Sequence, residues 1–230
     1  MVDSLKQKEV LAMYDVRGIQ NYIFYTNRIK EIIGASSIVE NIITDALDDI
    51  IEEQKLDKEK YLTNWTKDDS SAFFNDTSIK MQVMFIGGGN AYVLFREGAL
   101  CELFNRKLAK YLLEHTYSLQ LAVAVIEKTD NYKNDYEAIN EKMGEIKSKM
   151  PSAKPIGAFP FMKIDSVTGA PVSGKSPYDD KYICKESLLK LNNYKVDPEA
   201  YENLLDNLVT QKGDSSFLAV VHIDGNNMGK

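Results

Sequence analysis

Apolar residues recur along the chain at two different spacings, and the switches between them predict its elements. Glu9 to Asp15, EVLAMYD, is a short apolar run ending on a carboxylate, the pattern of a buried strand that stops at a polar edge. Gly18 then suits a tight turn. From Arg28 to Ile51, apolar residues such as Ile32, Val39, Ile43, Leu47 and Ile50 return at three-and-four spacing. That is the stripe of a helix packed on a sheet, and Gly34 offers a break into two helices. Glu52 to Ser78 is polar and aperiodic and reads as a mobile connection tacked down by Trp65, Phe73 and Phe74.

The clearest local signal follows. Lys80 to Ile86, KMQVMFI, and Ala91 to Phe95, AYVLF, flank Gly87, Gly88, Gly89 and Asn90. This predicts a β-hairpin, because Gly and Asn tolerate the positive φ that a tight strand reversal demands. Leu100, Phe104, Leu108 and Leu112 mark a second helix, and Leu119 to Ile126 a further buried strand. Strand, helix, hairpin, helix, strand is an α+β plan with helices covering one face of the hairpin. A more polar helix spans Asp135 to Met150 and ends at Pro151 and Pro155, and Ser152 to Lys195, rich in Pro, Gly and Ser, reads as an irregular insert.

Asp197 and Pro198 start another helix, and Phe217 to Ile223 is a last apolar strand followed by Asp224 and Gly225. This repeats the design of Val10 to Gly18: apolar strand, aspartate, glycine soon after. A second copy of the first unit, continuing beyond Lys230, is therefore expected, with the chain a fragment of a larger protein.

Composition narrows the functional classes. With 44% apolar and 27% charged residues among 230, the chain is globular and not low-complexity or wholly disordered. A net charge of -6 argues against a protein whose main work is coating nucleic acid with a basic face, so any such contact is shared with partner subunits. The two cysteines, Cys101 and Cys184, lack CxxC or histidine-pair spacing and indicate neither a disulfide framework nor a zinc site. No apolar run approaches the roughly 18 residues of a membrane helix, and no signal pattern opens the chain, so a cytoplasmic, membrane-free protein is expected.

Three places could carry chemistry. Asp224 sits where a strand delivers a carboxylate to a loop of small residues, which suits a magnesium ion shared with substrate phosphates or, equally, a capped turn formed with Asn226 and Asn227. The Gly87–Asn90 turn could press backbone N–H groups against a phosphate or be a plain hairpin turn. Gly169 to Ser176, GAPVSGKS, matches G-x-x-x-x-G-K-[ST] letter for letter, yet Pro177 follows at once, no helical stripe comes after, and Pro171 removes an amide. The P-loop context is missing. His115 and His222 suit core positions better than catalysis, and no Ser/His/Asp constellation assembles.

DVRGIQNYIF from Asp15 to Phe24, FIGGGNAYVLF from Phe85 to Phe95 and the final IDGNNMGK together resemble the large subunit of type III CRISPR effectors, the Cas ten family in its Csm and Cmr forms. The resemblance implies a ferredoxin-like palm of the polymerase and nucleotide-cyclase type over 1–130, a helical and irregular linker with a degenerate zinc-knuckle-like insert over 131–212, and the first strand and metal loop of a second palm over 213–230. In the family, paired palms bind two ATP molecules and join them into cyclic oligoadenylates in antiviral defence when target RNA is held.

Carried onto this sequence, the resemblance implies nucleotide contacts at Gly87, Gly88, Gly89, Asn90, Asn227 and Lys230, and a metal ligand at Asp224. Magnesium or manganese would act with ATP only once the second palm is complete, and other effector subunits with guide and target RNA would be the partners. GGGN stands where a catalytic palm carries GGDD, so this palm should frame a nucleotide without activating it, and the chain alone should be inactive. The alternative is a stand-alone degenerate-palm scaffold or nucleotide-binding protein.

Overall fold

A computed structural model of the protein describes residues 5–151 and 157–195. The helix expected after Asp197, the strand Phe217 to Ile223, and Asp224, Asn227 and Lys230 lie outside the described residues. Residues up to Tyr194 form one compact unit.

Strand β1 (Val10–Arg17) leads through Gly18 into a short helix α1 (Ile19–Phe24) and then α2 (Ile29–Glu53). A two-residue strand β2 (Tyr61–Leu62) and a single turn α3 (Ala72–Asn75) precede the hairpin β3 (Met81–Gly87) and β4 (Asn90–Phe95). After α4 (Gly98–Thr116), β5 (Gln120–Glu127) and α5 (Tyr132–Lys149), the insert supplies β6 (Val172–Lys175), β7 (Tyr182–Cys184) and α6 (Lys185–Asn192). The protein is thus mixed α+β. The five-stranded sheet has the order β2-β3-β4-β1-β5, antiparallel throughout except for the parallel β2–β3 edge. The hairpin strand β4 pairs with β1, so the α2 crossover encloses it in a split β-α-β arrangement.

Alternation along the strands sorts the side chains onto two faces. Val10, Ala12, Tyr14 and Val16 of β1 join Val83, Val93 and Phe95 against α2 and α4, where Ile43, Leu47, Phe104 and Leu108 are almost wholly buried. The opposite face carries Leu11, Met13, Tyr92 and Ala124, and α5 covers part of it through Ile139 and Met143. The expectation of helices on one face only is therefore corrected: the polar helix α5 buries a narrow apolar stripe on the second face. Among the described residues no helix is long and apolar enough to cross a membrane.

Two further expectations give way. The strand does not stop at Asp15 but pairs as far as Arg17, because β5 extends the ladder there while the pairing with β4 ends at Asp15. Gly34 does not break α2, which is one helix of 25 residues. Its role is proximity, since a Cβ at this position would lie 1.9 Å from the Lys190 carbonyl oxygen of α6. The insert is also more ordered than its composition suggested. Glu31, buried at the start of α2, accepts from Thr26 at 2.8 Å, Arg28 at 2.9 Å and Ser187 of α6 at 2.9 Å. Lys190, also buried, donates to the Tyr22 carbonyl and to Glu186, both at 2.5 Å, and sits over the Tyr22 ring. These charged groups are tolerated inside because each has its partners.

Candidate functional site

The hairpin ends in a two-residue reversal, with Gly87 paired to Asn90 and positive φ at both Gly88 (58°) and Gly89 (80°). That conformation belongs to the tight turns whose twist matches the flanking strands. The three glycines differ in what they accommodate. A Cβ on Gly87 would meet the Phe85 ring at 2.8 Å, and one on Gly89 would meet Ile19 Cδ1 at 2.5 Å, whereas Gly88 faces open space. Gly89 also accepts a 2.8 Å hydrogen bond from the Val16 amide, which ties the turn to the end of β1.

Register brings a carboxylate to this turn: Asp15 of β1 lies directly opposite Asn90 of β4. Lys147, from the last part of α5, ion-pairs with Asp15, while Arg17 Nη1 donates 3.0 Å to the Lys147 carbonyl. Asp15, Asn90, Lys147 and Arg17 thus form one polar cluster on the second face of the sheet. Lys147 carried no sequence signal, since it is one lysine among many on a polar helix, and only the packing of α5 delivers it to Asp15.

The cluster does not fit a divalent metal. Asp15 is its single carboxylate and is already paired, Gly89 and Asn90 bring none, and among the described residues no group of three or more His, Cys, Asp or Glu converges. Of the other expected site residues, Asp224, Asn227 and Lys230 lie outside the described residues.

Beside the cluster opens a cavity of about 580 Å³ between α1 and the insert. Arg17, Asn21 and Tyr25 line one wall, and Gly169 to Pro171 with Lys185 and Glu186 the other. Tyr22 also borders it. Its hydroxyl is buried without a partner among the described residues, and burial first, then the nearby Glu186 charge, raises its pKa well above the ordinary tyrosine value.

The P-loop letters fail structurally as well. Val172 to Lys175 form strand β6, paired with β7, and Lys175 is engaged by Asp180 at 2.6 Å. No helix opens at Ser176 to present amides to a phosphate. Asp165 holds the insert together instead, accepting from the Val167 amide at 2.9 Å and the Cys184 amide at 3.1 Å. Burial works to raise its pKa, but these amides outweigh it and the carboxyl titrates below the usual aspartate value.

No family model and no curated protein matches the sequence. Its neighbours among solved structures are Csm1 chains, and Csm1 is the Cas ten subunit of type III CRISPR effectors. The Csm1-Csm4 cassette in complex with AMPPNP is 19% identical, with a TM-score of 0.43, over 63% of this chain and 19% of that one. The same cassette in complex with cA3 gives the same values. Csm1 from T. onnurineus is 18% identical at a TM-score of 0.42, over 62% of this chain and 20% of its own. This chain therefore spans about a fifth of the Csm1 chains it is similar to.

Proposed function

We propose that this chain is the N-terminal part of a Cas-ten-like effector subunit: a ferredoxin-like palm over 1–130, a linker over 131–212 and the opening of a second palm over 213–230. In this reading the first palm frames ATP but does not activate it. With a complete second palm, and with guide and target RNA held by the other subunits, the whole protein joins ATP into cyclic oligoadenylates. Magnesium or manganese belongs to the second palm, around Asp224, with Asn227 and Lys230 on the nucleotide there.

The observation that carries the reading is the Asp15–Asn90 register beneath the Gly88–Gly89 turn, with Asp15 neutralised by Lys147. A palm that activates nucleotides needs converging carboxylates to hold two cations. Here one carboxylate is paired with a lysine and the facing position is an amide, which leaves the turn suited to binding. The hairpin amides and Arg17 supply attraction for phosphate, and the cavity bordered by Asn21 and Tyr25 has room for the base.

Calorimetric titration of the chain with ATP and magnesium, followed by chromatography of the nucleotides, tests this. Saturable binding is expected, weakened about tenfold by Arg17→Ala, as for the loss of a charge-assisted contact, and the ATP should be recovered unchanged. Absence of binding would favour a scaffold without nucleotide, and oligoadenylate made by this chain alone would overturn the non-activating assignment.

A further inference from the structure

The second face of the sheet holds a feature that the nucleotide reading leaves unused, at the end away from the hairpin turn. Between α3 and the first turns of α5 runs a groove of about 530 Å³, floored by Leu11, Met84, Tyr92 and Leu94 and walled by aromatic rings. A bulge builds it. The β3–β4 register shifts between Val83 and Phe85, so that Met84 and Phe85 both line the groove where regular alternation would have sent one of them to the opposite face.

The walls are fixed before any ligand arrives. Gln82 accepts from the Phe73 amide at 2.8 Å and donates to the Asp69 carbonyl at 2.7 Å, and Arg96 donates to the Asp76 carbonyl at 2.9 Å, which pins α3 and with it Phe74. On the other side Asp135 accepts from the Thr129 amide at 3.0 Å and the Thr129 hydroxyl at 2.7 Å, holding the loop that leads into α5.

We propose that this groove is a docking site for a segment of a partner protein that presents an arginine or lysine flanked by apolar side chains. Charge and ring chemistry select that occupant. Tyr92, Tyr136 and Tyr132 follow one another at centroid separations of 6.3 and 6.1 Å, and Tyr132 is 80% exposed. Aromatic faces attract cations. Asp130 stands exposed at the rim, and its carboxylate has no partner among the described residues. The one cation of the rim, Lys128, is turned over the Phe74 ring and lies 3.8 Å from Glu9. What remains uncompensated is therefore negative charge and aromatic surface. A nucleic acid strand would need phosphate-neutralising cations here, and the groove supplies none that is free.

Trp65, the protein's single tryptophan, packs on Phe85 at 5.1 Å and reports on the groove directly. The test titrates the full chain with the peptide acetyl-Leu-Arg-Leu-amide and with its citrulline counterpart, which keeps the shape and removes the charge. A saturable change in Trp65 fluorescence is expected, at least about tenfold weaker for the citrulline peptide and for Asp130→Asn, a surface change that leaves the fold intact. Equal binding of both peptides, unchanged binding by Asp130→Asn, or no saturable response would overturn the proposal. So would binding of a short single-stranded RNA in place of the peptide, or a concentration-dependent dimer abolished by Tyr136→Glu, which would make a second copy the occupant.

Discussion

The two faces of the central sheet are built for different purposes. Against α2 and α4 the side chains are mostly aliphatic, with Phe95 and Phe104 fully enclosed, and the layer is closed along its length. On the other face α5 covers only part of the strands, and the uncovered part is aromatic: Phe85 is 41% exposed and Phe74 56%. Both faces come from the same strands, and only the side chains at alternate positions differ. Stability is concentrated where packing is complete, and recognition is possible where it is left incomplete and the remaining groups are held in place by hydrogen bonds.

Truncation should separate the faces most clearly. Phe104→Ala should cost about 4 kcal/mol in chemical denaturation, because it empties a closed layer. Phe85→Ala, on the open face, should cost less than about 1 kcal/mol, since much of its ring already meets water. Equal losses would mean that the open face is as much a part of the core as the closed one.

Gly34→Ala should rank next. Its new methyl group would meet the Lys190 carbonyl, a backbone atom that cannot rotate away, and overpacking of this kind costs about 2 kcal/mol. The same denaturation experiment checks it, and limited proteolysis should show earlier cleavage in the insert.

The last effect vanishes at neutral pH and concerns the dryness of the closed face. Cys101 lies there, and burial pushes its thiol up to about 12, against an ordinary value of 9.0. The native thiol keeps its proton while the unfolded one ionises, so the unfolded state loses protons first. Stability should be unaffected below about pH 9 and fall as pH rises from there towards 12. Cys101→Ala should flatten that alkaline slope, and thiol labelling at neutral pH should follow the rate of unfolding.

Much of this architecture was legible in the sequence, and the failures share a cause. The hairpin, the α2 stripe and β5 declared themselves because period and turn chemistry agree over many residues. Gly34 misled because glycine in a helix reads as a breaker, while its partner, Lys190, is distant in sequence and sits in an insert that looked structureless. Helix α1 and strands β6 and β7 are too short to show a period. At the candidate site the turn glycines and Asp15 were visible, but the pairing of Asp15 with Lys147 was not, because it depends on where α5 lands. The groove was hidden for a similar reason: its aromatics come from four separate segments, and the bulge at Met84 leaves no mark in the pattern.

The bulge at Met84 can be located by counting. Along β3 the odd-numbered residues Met81 and Val83 point to the helices, but beyond Met84 it is the even-numbered Ile86 that does so. Parity has changed within one strand. Deleting Met84 would restore regular alternation and leave Phe85 opposite Tyr92 and Gly87 opposite Asn90, so the groove would lose one side chain from its floor while the reversal at Gly88 and Gly89 kept its place against Val16 and Ile19. The extra residue therefore serves the groove and not the turn. Removing one position of the chain here alters the groove alone.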